Sequence, residues 1–220
     1  MQHHKQYIFS PLILMSVAFV SLHAGELHKK SILKKSSSGI EVRVNFVGSS
    51  GRFVQNFKER EPTGNVVDTY SKTADLTSKG LSLQVGYARD YVRRDQYSFL
   101  YIGYEAQKWN DAYESDFHAF MVGAEGGIGS QSLKFIYGGE FGFGALDTGS
   151  DGLGYLGTFS AEPYIGLKVL LGEAFSLNFR MGVRGFYIEE VVHANGVNEV
   201  TSENGAYTAN GQIGLGYRFY

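Results

Sequence analysis

Three residues near the middle of the chain have the types of side chain that a hydrolytic site uses. Ser115, Asp116 and His118 supply a hydroxyl, a carboxylate and an imidazole within one short segment. Hydrolysis of this kind needs a nucleophile or a water molecule beside a base. Because successive residues of a strand point to opposite faces, these side chains need another strand to act together. We expect His118 to lie at the loop end of a strand without a catalytic role, and a lipid-modifying enzyme is the alternative.

Two other segments contain carboxylates in arrangements that metal sites use. Glu189, Glu190 and His193 offer two carboxylates and an imidazole, but on a long polar loop. Residues 147–152 read DTGSDG, which resembles the start of a calcium-binding loop. Such a loop ends on a bidentate glutamate, and Thr158 stands at that position instead. We therefore expect no metal site and no cofactor.

Composition excludes several further classes of function. Gly152, Gly154 and Gly157 have the spacing of a dinucleotide motif, but no helix follows them to bind a pyrophosphate. The chain has no cysteine, which excludes disulfides and thiolate chemistry. A net charge of -2 without a basic stripe gives no reason to expect nucleic acid. Abundant glycine (29 residues) and aromatic residues with only 3 prolines favour many strands joined by turns.

The elements that carry these residues are predicted to be strands. From Gly39 onward, apolar and polar or small residues alternate with a period of two, as in a strand with one apolar face. About eight segments of roughly 9–14 residues show the pattern, the length of a tilted membrane strand. The segment 97–105 is aromatic on both faces, so its inward side stays unassigned. The apolar faces are centred on residues 40–46, 81–88, 97–105, 120–125, 133–143, 159–169, 175–184 and 207–219.

The connections alternate between long and short. Residues 48–78 and 190–205 are long and polar, whereas Gly172 and Glu173 suit a two-residue hairpin with glycine first. Alternation places all long loops at one end and all tight turns, with both chain termini, at the other. The predicted fold is all-β, an eight-stranded antiparallel up-and-down transmembrane barrel.

The polar face is predicted to point into the barrel. It is rich in glycine, as a narrow lumen requires where small residues make room for large ones. Aromatic residues recur near the ends of the apolar face, as at membrane interfaces. A soluble barrel with an apolar interior is the alternative. The polar face carries charges of both signs, expected to form a network in the lumen: Glu41, Arg43, Glu125, Lys134, Glu140, Glu162, Lys168, Arg180, Arg184 and Arg218.

These inward charges have two interpretations. They line a narrow ion path in a porin-like channel, or they pair across the lumen and plug it. We favour the plug, because eight strands leave little room for water once long basic side chains lie inside.

The N-terminus has the pattern of a signal peptide. A weakly basic start precedes an apolar core at residues 8–20, and cleavage is expected after Ala24. The apolar run is too short to cross a bilayer comfortably, which takes about 20 residues. The expected organisation is a helical signal peptide at 1–24, a flexible lead at 25–38 and the barrel at 39–220.

The last strand reads YTANGQIGLGYRFY and ends the chain on aromatic residues. With the signal segment, the strand rhythm and the loop alternation, this ending resembles the small eight-stranded outer-membrane barrels of the OmpA-like, OmpX-like and opacity-protein-like group. In that family the assembly machinery reads a terminal aromatic. The resemblance therefore implies an assembly signal at Tyr217, Phe219 and Tyr220, with Phe219 continuing the apolar face.

The resemblance also implies location and partners. It places a monomer in the outer membrane of a Gram-negative bacterium, in contact with lipid and lipopolysaccharide and with the barrel assembly machinery. The function expected is structural or surface interaction through the long loops, with an unknown extracellular ligand. The family is functionally diverse, so the fold alone does not choose an activity.

Overall fold

The protein forms one closed antiparallel barrel of eight strands. The computed structural model describes residues 37–91, 95–110, 114–130, 132–148, 155–172, 174–195 and 198–220, and the side chains of 189–198 are outside this description. Each strand pairs with the next, and β8 pairs with β1, which closes the ring and confirms the predicted fold. The strands are β1 (Ser37–Arg60), β2 (Val66–Tyr91), β3 (Gln96–Asn110), β4 (Asp116–Gly129), β5 (Leu133–Asp147), β6 (Tyr155–Leu171), β7 (Phe175–Asn195) and β8 (Asn198–Phe219).

The predicted signal peptide at 1–24 lies outside the described residues, as does most of the predicted lead. β1 begins at Ser37, two residues earlier than predicted. No described helix is long and apolar enough to cross a membrane.

Side chains alternate between the lumen and the exterior as the sequence predicts. On β8, Leu215 and Phe219 are exposed, whereas Gln212 and Arg218 are buried. The structure also assigns β3, whose inward side the sequence left open. Its inward residues are Tyr97, Phe99, Tyr101 and Glu105, and its outward residues are Leu100, Ile102 and Tyr104.

The exterior is an apolar belt around the whole barrel. A soluble barrel would bury such residues and expose its charges, and here the opposite holds. On β8 the belt runs from Tyr207 to Phe219, which is enough for the roughly 9–11 residues that a tilted strand needs to cross a bilayer. The charged side chains at this depth point into the lumen, and the exterior is left apolar. The exterior is therefore suited to contact with lipid. Exposed residues of the belt include Leu83, Val85, Leu100, Ile102, Phe120, Val122, Phe135, Ile165, Leu167, Met181, Ile213 and Leu215.

The two segments predicted as the longest loops are mostly strand, which corrects the prediction for 48–78 and 190–205. β1 continues to Arg60 and β2 starts at Val66, with a tight turn containing Gly64 (φ 85°) between them. The reason is that β1 pairs on both sides over its full length, from Ile40 to Arg60 with β8 and with β2 throughout. Continuous backbone pairing stabilises polar residues as strand where the sequence pattern indicates loop.

These extensions form a four-stranded sheet above one side of the barrel, which we call the wall (residues 54–60, 66–75, 189–195 and 198–205). Pairing of β3 with β2 stops at Thr77 and Asn110, and pairing of β6 with β7 stops at Ile188. Beyond these points no described strand covers the outer edge of β2 or of β7. Among the described residues, nothing pairs with these two outer edges of the wall, which we call its free edges.

The short connections lie at the opposite end, as predicted. The turn after β4 begins at Gly129 (φ 144°), and the turn after β6 begins at Gly172 (φ 84°), where a left-handed backbone favours glycine. The latter connection spans residues 172–174, one residue longer than the predicted hairpin, because Leu171 pairs with Phe175.

The belt makes a depth-dependent prediction. Ile165→Arg places a charge at mid-belt and should lower the free energy of unfolding by about 2–4 kcal/mol, whereas Tyr187→Arg at the belt's edge should cost about 0–1 kcal/mol. Both residues are more than half exposed, so packing losses are similar. Urea unfolding of barrels refolded in lipid vesicles measures both, and equal costs would contradict a lipid-facing exterior.

A buried ionic lumen as the candidate functional site

The lumen contains all ten of the charged residues that the sequence places on the inward face. They reach it because each occupies an inward position of its strand, alternating with a residue of the belt. None of them is more than 4% exposed: Glu41, Arg43, Glu125, Lys134, Glu140, Glu162, Lys168, Arg180, Arg184 and Arg218.

One cluster, the lower cluster, lies at the end with the tight turns and is organised around Glu41. Arg43 contacts Glu41 at 2.7 Å, and Arg218 contacts it at 2.9 Å. Lys168 also pairs with this carboxylate. Arg43 in addition makes a bidentate contact with Glu125, at 2.8 and 3.1 Å. A carboxylate that accepts from three cations ties β1, β6 and β8 together across the lumen.

A second cluster, the upper cluster, lies nearer the wall and is organised around Arg184. Its guanidinium contacts Glu140 and Glu162, each at 2.6 Å, and pairs with Glu105. Arg180 contacts Glu140 at 2.8 Å. Three carboxylates from β3, β5 and β6 thus converge on a single arginine of β7.

Two tyrosines join the clusters. The Tyr101 hydroxyl donates to Glu140 at 2.6 Å and lies 3.3 Å from the Tyr164 hydroxyl, which donates to Glu125 at 3.3 Å. The Arg180 guanidinium stacks over the Tyr164 ring, 3.6 Å from its centroid. Because each hydroxyl gives its one proton to a carboxylate, the two tyrosines link the upper and lower clusters through a contact between their oxygens rather than through an unbroken chain of hydrogen bonds.

The sequence prediction missed two carboxylates and both tyrosines. Glu105 was missed because its strand is aromatic on both faces, and Asp90, which pairs with Arg218, because it was assigned to a turn. Charge balance was a signal that could have found them, since six predicted cations faced only four carboxylates. With both included, the six cations face six: Glu41, Asp90, Glu105, Glu125, Glu140 and Glu162.

Glycines on the inward face leave room for the tyrosines. A Cβ on Gly123 would collide with the Tyr101 ring, and a Cβ on Gly138 would approach the Tyr164 hydroxyl to 2.6 Å. Small residues on β4 and β5 thus accommodate large ones on β3 and β6.

Above the upper cluster, the lumen is filled by apolar side chains, which we call the cap. Trp109, Phe117 and Phe186 are in mutual contact, with ring centroids 4.9–5.4 Å apart. The cap lies between the upper cluster and the wall. Its members are Phe53, Leu76, Trp109, Phe117, Ala119, Met121, Leu146, Phe186, Ile188 and Ala206.

The catalytic grouping considered from the sequence does not assemble. Ser115 is buried, whereas His118 is exposed on the exterior and its Nδ1 lies 2.8 Å from the Tyr104 hydroxyl. Ser115 and His118 are three residues apart. Because successive residues of a strand point to opposite faces, the two side chains lie on opposite faces of the sheet.

The remaining candidates lie largely beyond what the structure describes. The side chains of Glu189, Glu190 and His193 fall outside the described residues, as do Gly152 and Gly154 and most of the segment 147–152. At the C-terminus, Tyr217 and Phe219 face outward with ring centroids 4.7 Å apart, and Tyr220 follows the strand.

Comparisons with solved structures find matches at low sequence identity. Neisserial surface protein A is 19% identical over 84% of this chain and all of its own length, with a TM-score of 0.40. Ail of Yersinia pestis, the attachment invasion locus protein, in complex with the heparin analogue sucrose octasulfate, is 16% identical over 80% of this chain and 99% of its own, with a TM-score of 0.34. No protein-family model and no curated protein matches the chain.

The architecture is therefore established by the chain's own features. A closed antiparallel ring, an apolar exterior and a charged interior are those of an outer-membrane β-barrel.

We expect the loss of a cation from the upper cluster to lower the free energy of unfolding more than the loss of a cation outside it. Arg184→Met leaves Glu105, Glu140 and Glu162 short of a partner in the lumen, and should lower the free energy of unfolding by about 3–5 kcal/mol. Lys134→Met is the matched control, because its carboxylate partner Asp90 is 3.9 Å away and is also held by Arg218. The control should cost clearly less, because Asp90 keeps Arg218 as its partner when Lys134 is removed. Urea unfolding in vesicles measures both, and similar costs would show that the upper cluster is not an energetic unit.

Proposed function

We propose that this protein is a non-conducting outer-membrane barrel whose wall contacts molecules outside the cell. The observation that carries the proposal is the combination of a filled lumen with a paired four-stranded sheet that continues well beyond the apolar belt. A transport function needs an open path through the barrel, and a contact function needs an accessible surface above the membrane. The long hairpins of this chain form an accessible surface of that second kind, above the apolar belt.

The filling of the lumen supports a closed barrel. Eight strands enclose a space just wide enough for side chains. The two ionic clusters and the cap follow one another along the axis, and the charged side chains in them are bound to partners from opposite strands. An ion that passed through would have to break these pairs and then cross the apolar cap.

The wall's free edges support a contact role. An unpaired strand edge presents backbone N–H and C=O groups that an extended segment of another protein can pair with. The described part of β2 beyond Thr77 is largely exposed, and it carries Asp68, Lys72 and Asp75, charges that discourage uncontrolled edge-to-edge association. The partner chemistry that fits is an extended polypeptide segment that adds to the sheet.

The position of His118 supports a non-catalytic role. Its imidazole points away from Ser115, and its hydrogen bond is to a tyrosine rather than to a carboxylate. Ser115, the nucleophile considered from the sequence, is buried on the other face of the sheet and so does not act with this imidazole.

A planar-bilayer recording tests the closed lumen. The purified barrel should give no steady current steps at moderate voltage, because its charges are paired and its cap is apolar. A wide porin recorded in the same membrane provides the positive control. Steady unit conductance from the wild-type barrel would overturn the plug and favour a narrow channel.

A peptide-binding experiment tests the wall. Barrels in nanodiscs are presented to a phage-displayed library of random ten-residue peptides, and strand-forming peptides should be enriched. A variant with residues 57–69 replaced by a short Asn-Gly turn should lose this binding while keeping its belt and lumen. Thr69→Ala is the control and should bind normally, because main-chain pairing does not use that side chain. Undiminished binding to the shortened variant would contradict a contact role for the wall.

A further inference from the structure

Two lysines stand directly opposite each other on the exterior, where the belt meets the wall end of the barrel. Lys79 of β2 pairs in register with Lys108 of β3, and both are exposed. Like charges in directly opposed positions destabilise a sheet. Among the described residues, neither ammonium takes part in an ion pair. An anion placed between the two would remove the repulsion.

A third nitrogen lies beside the lysines. His118 of β4 pairs in register with Ala106, the outward residue two positions before Lys108, so the imidazole is diagonal to that lysine. The Tyr104 hydroxyl lies 2.8 Å from its Nδ1. When Tyr104 donates to Nδ1, Nε2 carries the ring proton and becomes a hydrogen-bond donor. Three adjacent strands thus present donors at one place on the exterior.

Apolar side chains lie directly below these donors on the same strands. Leu81 follows Lys79 on the outward face of β2, Tyr104 precedes Lys108 by two outward positions on β3, and Phe120 follows His118 on β4. Leu81 and Phe120 are 50% and 70% exposed. Donors above an apolar strip match an amphiphile, with acyl chains against the strip and an anionic headgroup against the donors.

The adjoining sector of the same rim, from β4 onward, has the reverse charge. The sequence contains no lysine or arginine between Lys108 and Lys134, and the later cations Lys134, Lys168, Arg180, Arg184 and Arg218 all face the lumen. Asp116 of β4 pairs in register with Lys108 on one side and with Asp147 of β5 on the other, so an acidic sector begins directly beside the two lysines. Outward cations at this end are therefore confined to β1–β3, so an anionic headgroup has one favourable sector rather than a uniform ring.

We propose that the outward surface of β2, β3 and β4 at this rim binds the phosphate of a glycolipid headgroup in the outer leaflet. Lys79 and Lys108 hold the phosphate oxygens between their ammonium groups, and His118 Nε2 donates from the side. The inference rests on the membrane placement in the proposed function, but not on the wall's contact role or on the closed lumen.

Native mass spectrometry of the detergent-solubilised barrel tests the site. The probes are bisphosphorylated lipid A, dephosphorylated lipid A with the same acyl chains, and inorganic phosphate. The wild type should retain the phosphorylated lipid at least about tenfold better than the dephosphorylated one, and the Lys79→Gln/Lys108→Gln variant should lose about tenfold of that retention. Lys72→Gln, the same charge change on the wall portion of β2, should retain lipid like the wild type.

Two results would overturn the site. One is equal retention of the phosphorylated lipid by the double variant and the wild type, or equal retention of the two lipids by the wild type. The other is displacement of the lipid by millimolar inorganic phosphate, which would indicate a site for free anions. A heat-dependent shift in gel mobility, recorded for every variant, shows that the barrel is folded. Loss of that shift in the wild type would instead contradict the membrane barrel itself.

Discussion

The pairing of β8 with β1 is the constraint on which the rest of the structure depends. In a bilayer core no water is available to satisfy backbone groups, so a sheet is stable there only when its first and last strands close on each other. The closure runs from Ile40 with Phe219 to Arg60 with Glu199, which is far longer than a bilayer requires. The same pairing that seals the barrel in the membrane therefore also builds the centre of the wall above it.

Closure with eight strands fixes a narrow lumen, and a narrow lumen dictates what can fill it. Burying ion pairs is often no more stable than burying apolar residues of the same size, because desolvation offsets the attraction. The value of the ionic clusters lies in the register they impose. A slip of one residue would turn the inward charges of a strand toward lipid and its apolar residues into the lumen. Contacts such as Arg43 with Glu125 and Arg184 with Glu140 thus allow one register and penalise its neighbours.

Alternation in the sequence predicts the fold, the number of strands and most of the inward charges, because period-two patterning is a direct consequence of strand geometry at membrane depth. It does not predict the inward side of β3, since aromatic residues suit both a lumen layer and a lipid surface. It does not predict the wall either, because polar strands stabilised by neighbours on both sides resemble loops. The cap was missed for a related reason. Leu76, Trp109 and Phe117 are apolar yet point inward, as Phe99 and Ile136 do deeper in the barrel, so alternation of apolar and polar residues does not identify them.

The change of residue type on the outward face marks the edge of the membrane. At membrane depth, Leu81 and Phe120 face outward and charges face inward. One step further along the strands, Lys79 and His118 face outward while Leu76 and Phe117 fill the lumen. The outward residues become polar because the exterior passes from lipid to water. The inward residues are apolar because they separate the ionic clusters from that water. In the proposed closed barrel the cap separates the ionic clusters from this water, and the outward lysines lie at the proposed headgroup site. The proposed closed interior and the proposed headgroup site are therefore two consequences of one boundary.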